Sequence, residues 1–315
     1  MPLPRLVVIT LLASVVIGSV TLAAADDTIP GHAIDRTATG AVIAGAVGLG
    51  LGLSLIPVHV HRGLWAHELF GDADDAVHTS FSLRAADLSD GLLASSIAAP
   101  VAYLAGDTIE DADGDRWLIY GEALAVNFAV FEGVKHLVQR PRPYLYARSP
   151  EATEYAAAQG DDAYQSFYSA HAATAFCAAT AGAYLTAVSS TSPGVRALAW
   201  GSGFAAAAAV ANLRVRAGKH FYSDVVIGAA VGIAIGYVVP ALQADHQPYV
   251  PSLGDVGAAA AGVLGGGVLS ELLPIDRRRS DPRRRGRLAA LRRAHLHLGP
   301  APIAHGAGVG LGGTL

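Results

Sequence analysis

Between residues 197 and 244 the chain holds two apolar runs, 197–213 and 225–244, and neither contains a charge. The eleven residues between them carry Arg214, Arg216, Lys219, His220 and Asp224. Runs of this length, rich in alanine and glycine, fold as buried helices of about five turns. Charged side chains cannot be left unpaired inside either helix, so they must collect where one helix ends and the next begins. That junction dictates a helical hairpin with a polar tip.

Hydrophobic residues make up 52% of the 315-residue chain and charged residues only 15%. The ordinary charged share is about 25%, so the chain either buries a great deal or meets lipid. Glycine and alanine dominate the apolar set, which favours close-packed helices over sheet. The single cysteine, Cys177, excludes an internal disulfide and reads as a buried inert thiol. Net charge is −4, but nine arginines lie within 277–293. Without that cassette and its two aspartates, 13 basic residues face 24 acidic ones, so the body is acidic at −11.

Residues 1–25 carry Arg5, an apolar stretch and the small residues Ala23, Ala24 and Ala25, the pattern of a secretory signal. A connector with one glycine-rich apolar run at 41–58 follows to residue 90; the run is either a span or a buried helix. Four scattered histidines there, His59, His61, His67 and His78, have no ligand spacing. A second apolar run at 91–106 is expected to break at Pro100. Asp111, Asp113 and Asp115 fail the calcium-loop pattern, and no metal site is expected. Helices are expected at 117–139, from Ser169 as N-cap to about 188, at 196–213, and from a Ser223 cap to about Pro240. Residues 245–315 read as a Gly/Arg-rich extension with a weak apolar run at 257–269 and an irregular or β-hairpin tail. The expected fold is all-α: an antiparallel bundle, with its catalytic part at 91–244.

If consecutive helices pack antiparallel, three polar clusters meet at one end of the bundle. That end would gather the cations Lys135, Arg142 and Arg214 and two helix N-termini, a cage suited to an oxyanion. Taken singly the signals are weak: Lys135 near a helix end also serves simply to compensate the dipole. Together they suit attack on a phosphate ester, with His220 as nucleophile, Asp224 to hold it, and His171 to give or take a proton.

The segments Lys135-x6-Arg142-Pro143, Ser169-Ala170-His171 and Arg214-x5-His220-x3-Asp224 together resemble the three-part signature of the type 2 phosphatidic acid phosphatase (PAP2) and vanadium haloperoxidase superfamily. The resemblance implies a helical bundle of the PAP2/acid phosphatase type and a phosphohistidine on His220, oriented by Asp224. It implies protonation of the leaving group by His171, and phosphoryl binding by Lys135, Arg142, Ser169, the backbone N–H of Ala170, and Arg214. The middle motif usually reads Pro-Ser-Gly-His, where this chain has Tyr168-Ser169-Ala170-His171; the third usually opens Ser-Arg, where it has Leu213-Arg214. The expected activity is a metal-independent phosphatase acting on a lipid phosphate or small phosphomonoester, without a cofactor. The alternatives are a vanadate-dependent haloperoxidase and a catalytically degenerate envelope protein. Nucleic acid is not an expected partner. Counting spans ahead of Arg142 favours an exported periplasmic bundle with membrane association over an integral inner-membrane protein.

Overall fold

The computed structural model describes residues 34–56, 71–78, 80–111, 114–190, 192–245 and 247–275, and two strands at 297–303 and 306–312. The signal segment, His59, His61, His67 and the arginine cassette lie outside the described residues. In chain order the helices are α1 (Arg36–Ser54), the single turn α2 (Asp72–Asp75), α3 (Leu83–Asp111), α4 (Asp115–Leu137) and α5 (Pro150–Gln159). They continue as α6 (Ala170–Ser189), α7 (Pro193–Arg216), α8 (Tyr222–Leu242) and α9 (Leu253–Leu272). Two short 3-10 turns, Pro143–Leu145 and Gly160–Tyr164, flank α5. The fold is all-α, as expected. A separate unit, 274–315, contains an antiparallel hairpin, β1 (His297–Ile303) with β2 (Gly306–Gly312), in which Pro300 pairs with Val309.

Helix α6 is the core of the bundle, and its alanine-rich body is buried on all sides. Ser169 caps it: its Oγ accepts from the Ala172 N–H at 3.3 Å. Helix α8 lies against α6 along a glycine stripe. A Cβ added at Gly232 would come within 2.1 Å of the Ala173 carbonyl oxygen, so only glycine permits this approach.

Three local expectations are corrected. Helix α3 does not break at Pro100. The ring packs into a notch of α6, where a Cβ on Gly182 would lie 2.6 Å from the proline side chain, and this contact outweighs the missing backbone bond. Helix α8 starts at Tyr222, and Ser223 is not its cap. The Asp224 carboxylate instead accepts the Phe221 N–H at 2.9 Å, which frees Ser223 to bond elsewhere. The weak run in the extension is a full helix, α9, packed along α7.

Contacts fix the helix directions. Arg36 meets Asp115 at one end of α1 and α4, and Leu53 meets Gly133 at the other, so these two run parallel. Helix α3 starts beside the end of α7, where the Ser82 N–H reaches the Ala217 carbonyl, and returns to the start of α4. The ends of α4 and α7 and the starts of α3, α6 and α8 therefore share one end of the bundle.

Candidate active site

That shared end gathers most of the expected residues. His220 lies in the tight turn between α7 and α8. Gly218 makes the turn with φ +69°, and a Cβ there would sit 2.0 Å from the Ser80 carbonyl oxygen. The Tyr144 N–H binds the Gly218 carbonyl at 2.9 Å and pins the turn to the loop after α4.

His220 is almost fully buried, and its two ring nitrogens have different partners. Nδ1 lies 2.7 Å from the Ser166 carbonyl oxygen, which can only accept, so Nδ1 carries the proton. Nε2 lies 3.3 Å from Arg142 Nη1, which can only donate, so Nε2 presents its lone pair. Burial first, and then the fields of Arg142 and Arg214, push the imidazole well below its ordinary pKa and keep it neutral.

Asp224 does not hydrogen-bond to His220. Its Oδ2 is 3.8 Å from Nδ1, beyond hydrogen-bond reach. Ser166 stands between them: its carbonyl takes the His220 proton, and its hydroxyl donates to Asp224 Oδ2 at 2.5 Å. Asp224 Oδ1 takes Arg140 Nη1 at 2.7 Å. Arg140 also donates to Ser223 Oγ at 2.7 Å and to Asp74 Oδ2 at 3.0 Å, and its guanidinium stacks 4.0 Å from the Phe221 ring. Asp74 further accepts the Ser223 N–H at 3.0 Å and the Ser223 hydroxyl at 2.6 Å.

Arg142 is held on the opposite side of His220. Its Nε donates to the Asp162 carbonyl and its Nη2 to Asp162 Oδ1, both at 2.8 Å; its Nη1 also reaches the Lys219 carbonyl at 3.2 Å. Burial alone would raise the Asp162 carboxyl, but Arg142, Lys219 and Lys135 together outweigh it and hold the group below its ordinary value. Arg214 Nη1 and His171 Nε2 both donate to one oxygen, Asp90 Oδ1, at 3.0 Å and 2.9 Å. Arg214 Nε is buried without a partner. Ser169 donates its N–H to the Asp224 carbonyl at 3.1 Å. Ala170 is the first residue of α6, so its N–H has no intrahelical acceptor.

Lys135 stands apart from these contacts. Its ammonium binds Glu132 on the same helix at 3.1 Å and lies 4.9 Å from the Phe131 ring. Lys219, which sequence reasoning did not assign, takes the nearer place. It is buried, donates to the Tyr155 hydroxyl, and sits over the rings of Tyr155 and Tyr144 at 4.2 Å and 5.4 Å. Burial, then Arg142 and Arg214, bring it down to about 7. Arg140, Ser166, Asp74, Asp90 and Asp162 were also missed. Arg140 carried a signal, since Arg140-Pro141-Arg142-Pro143 repeats a dipeptide around the residue that was found.

The arrangement can hold an oxyanion between Arg142, Arg214 and the start of α6, with one neutral imidazole facing it and a second beside it. Among the described residues no group of three or more His, Cys, Asp or Glu side chains could hold a metal ion. Residues 116–248 match the family model described as PAP2 superfamily. No curated protein and no solved structure matches the chain.

Proposed function

Because the chain belongs to the PAP2 superfamily, a superfamily of phosphatase and haloperoxidase type, through residues 116–248, we propose that it is a phosphatase cleaving a phosphomonoester through a phosphohistidine on His220. The observation that carries this reading is the tautomer of His220: a buried neutral imidazole with its Nε2 lone pair turned to Arg142. Nε2 attacks phosphorus, a P–N bond forms as the ester P–O bond breaks, and His171, entering as the imidazolium, gives a proton to the departing alkoxide and is left as the neutral imidazole. His171 then takes a proton from water, the hydroxide attacks phosphorus, and phosphate leaves as the P–N bond breaks. Arg142, Arg214, Ser169 and the Ala170 N–H hold the equatorial oxygens. Asp224, acting through Ser166, offsets the charge that His220 gains. The reaction so written uses no metal or cofactor.

Among the described residues six helices, α1, α4, α6, α7, α8 and α9, are long and apolar enough to cross a membrane. Leu49 and Leu51 on α1, Leu55 just after it, and Leu269 and Leu272 on α9 are exposed. Outward leucines on such helices support a membrane-embedded bundle with the site at one end, and hence a lipid phosphate as substrate. Carbonate washing tests this: release into the supernatant would return the reading to an exported bundle. For the chemistry, His220→Ala is expected to lower hydrolysis of an aryl phosphate at least about a thousandfold, with the helical circular-dichroism signal intact. Unchanged turnover overturns the mechanism. A panel of lipid phosphates and soluble esters, run with EDTA and with vanadate, separates the substrate classes. Halide oxidation that needs vanadate would select the haloperoxidase reading.

A further inference from the structure

The cage contains a carboxylate that the phosphoryl reading does not use. Asp90 comes from α3, and one of its oxygens touches both His171 Nε2 and Arg214 Nη1. Resting on that reading, we propose that Asp90 is an internal stand-in for the oxygens of the substrate's phosphate ester, holding His171 and Arg214 together until a phosphate ester displaces it.

Three observations carry this. The first is position. In the proposed reaction His171 must reach the ester oxygen and Arg214 an equatorial oxygen of the same phosphoryl group, and Asp90 Oδ1 now takes both of these contacts, at 2.9 Å and 3.0 Å. Carboxylate and phosphate oxygens are equivalent acceptors for a guanidinium and an imidazole N–H. The second is the state of Arg214. Its Nε is buried and unpartnered while Nη1 is engaged. A guanidinium fork that receives one oxygen is set for a ligand that supplies two, and a phosphoryl group does so. The third is mobility of access. The Asp90 side chain is 59% exposed, whereas that of Asp224 is fully buried. Asp90 can turn to water when its place is taken; Asp224 cannot.

A purely orienting role for Asp90 on His171 predicts the opposite consequence of its removal, and this makes the proposal testable. Inorganic phosphate and orthovanadate are titrated calorimetrically into the full-length detergent-solubilised protein, into Asp90→Asn and into Asp90→Ala. Both variants are expected to bind each oxyanion about tenfold more tightly than the parent, because an internal anionic competitor has gone. The exposure of the side chain favours folding of both variants, and circular dichroism checks it. Unchanged or weaker oxyanion binding in the two folded variants overturns the stand-in role while leaving the phosphatase reading intact. Failure of the parent and of both folded variants to bind either oxyanion overturns both.

Discussion

Arg140 and Arg142 are separated by one proline, and they belong to different regions. Arg140 lies in a closed interior network whose other members, Asp74, Ser223 and Asp224, are all buried. Arg142 borders the cage, and its carboxylate partner Asp162 is 45% exposed. The interior region contains one arginine and two carboxylates, a net negative charge beside His220. Under the proposed attack through Nε2, His220 would become cationic, and this region would supply the counter-charge. The cage region carries the surplus positive charge of Arg142, Arg214 and Lys219, which suits a ligand that arrives as an anion. One side of the imidazole faces a closed protein network and the other the basic cage.

The contrast is broken most strongly by removing the interior anchor. Asp74→Ala leaves Arg140, the Ser223 hydroxyl and the Ser223 N–H short of a buried partner. A stability loss of about 3–5 kcal/mol is expected, the usual result of breaking a buried ion pair from one side. Chemical denaturation in detergent measures it, and a loss below about 1 kcal/mol would mean that the interior network does not anchor the turn. Arg142→Lys should do the reverse. It keeps a charge but removes the fork that reaches Asp162 and His220 together. Turnover is expected to fall by roughly 10²–10³, the cost of one preorganised donor, with stability nearly unchanged. Steady-state kinetics beside a melting curve checks both halves.

This division also explains what could be read from the chain. Ser169, His171, Arg214, His220 and Asp224 sit at helix ends, where an apolar run stops and polar side chains can collect and pair, so spacing alone reveals them. Asp74 and Asp90 have no such frame. They come from a mixed stretch and reach their partners, Ser223 and His171, across 149 and 81 residues. Only tertiary packing brings them in. The direct His220–Asp224 pair was inferred from an interval of four, but His220 precedes the Phe221 cap and is outside α8, so helical spacing does not apply and Ser166 fills the gap. The break expected at Pro100 failed for a related reason: a notch at Gly182, distant in sequence, accommodates the ring. The apolar runs themselves do not say which helix is core. α6 and α1 have similar small-residue compositions, yet 89% of the apolar window of α6 is buried inside the bundle against 11% for α1.

The smallest expected effect comes from pH, and it distinguishes the two regions without altering His220. Lys219 is brought from an ordinary 10.5 down to about 7 by burial and then by Arg142 and Arg214, while Asp162 and Asp90 pull the other way. Below 10.5 the unfolded chain takes up this proton, whereas the folded chain takes it up only below about 7. The unfolded state thus binds more protons across that interval, and folding stability rises with pH through it. His220 has the same sign but a lower window: the unfolded imidazole protonates below 6.5 and the buried one does not, so its effect ends where that of Lys219 begins. Burial raises the Tyr144 hydroxyl, so above an ordinary 10.0 the unfolded chain loses a proton that the folded chain keeps, and stability turns down. The clean window is therefore pH 7 to 9. Across it the melting temperature should climb by a few degrees, and Lys219→Met should flatten the climb without altering the rise below pH 6.5. A slope between pH 7 and 9 that survives in Lys219→Met would assign the titration to another group and remove Lys219 from the cage's electrostatics.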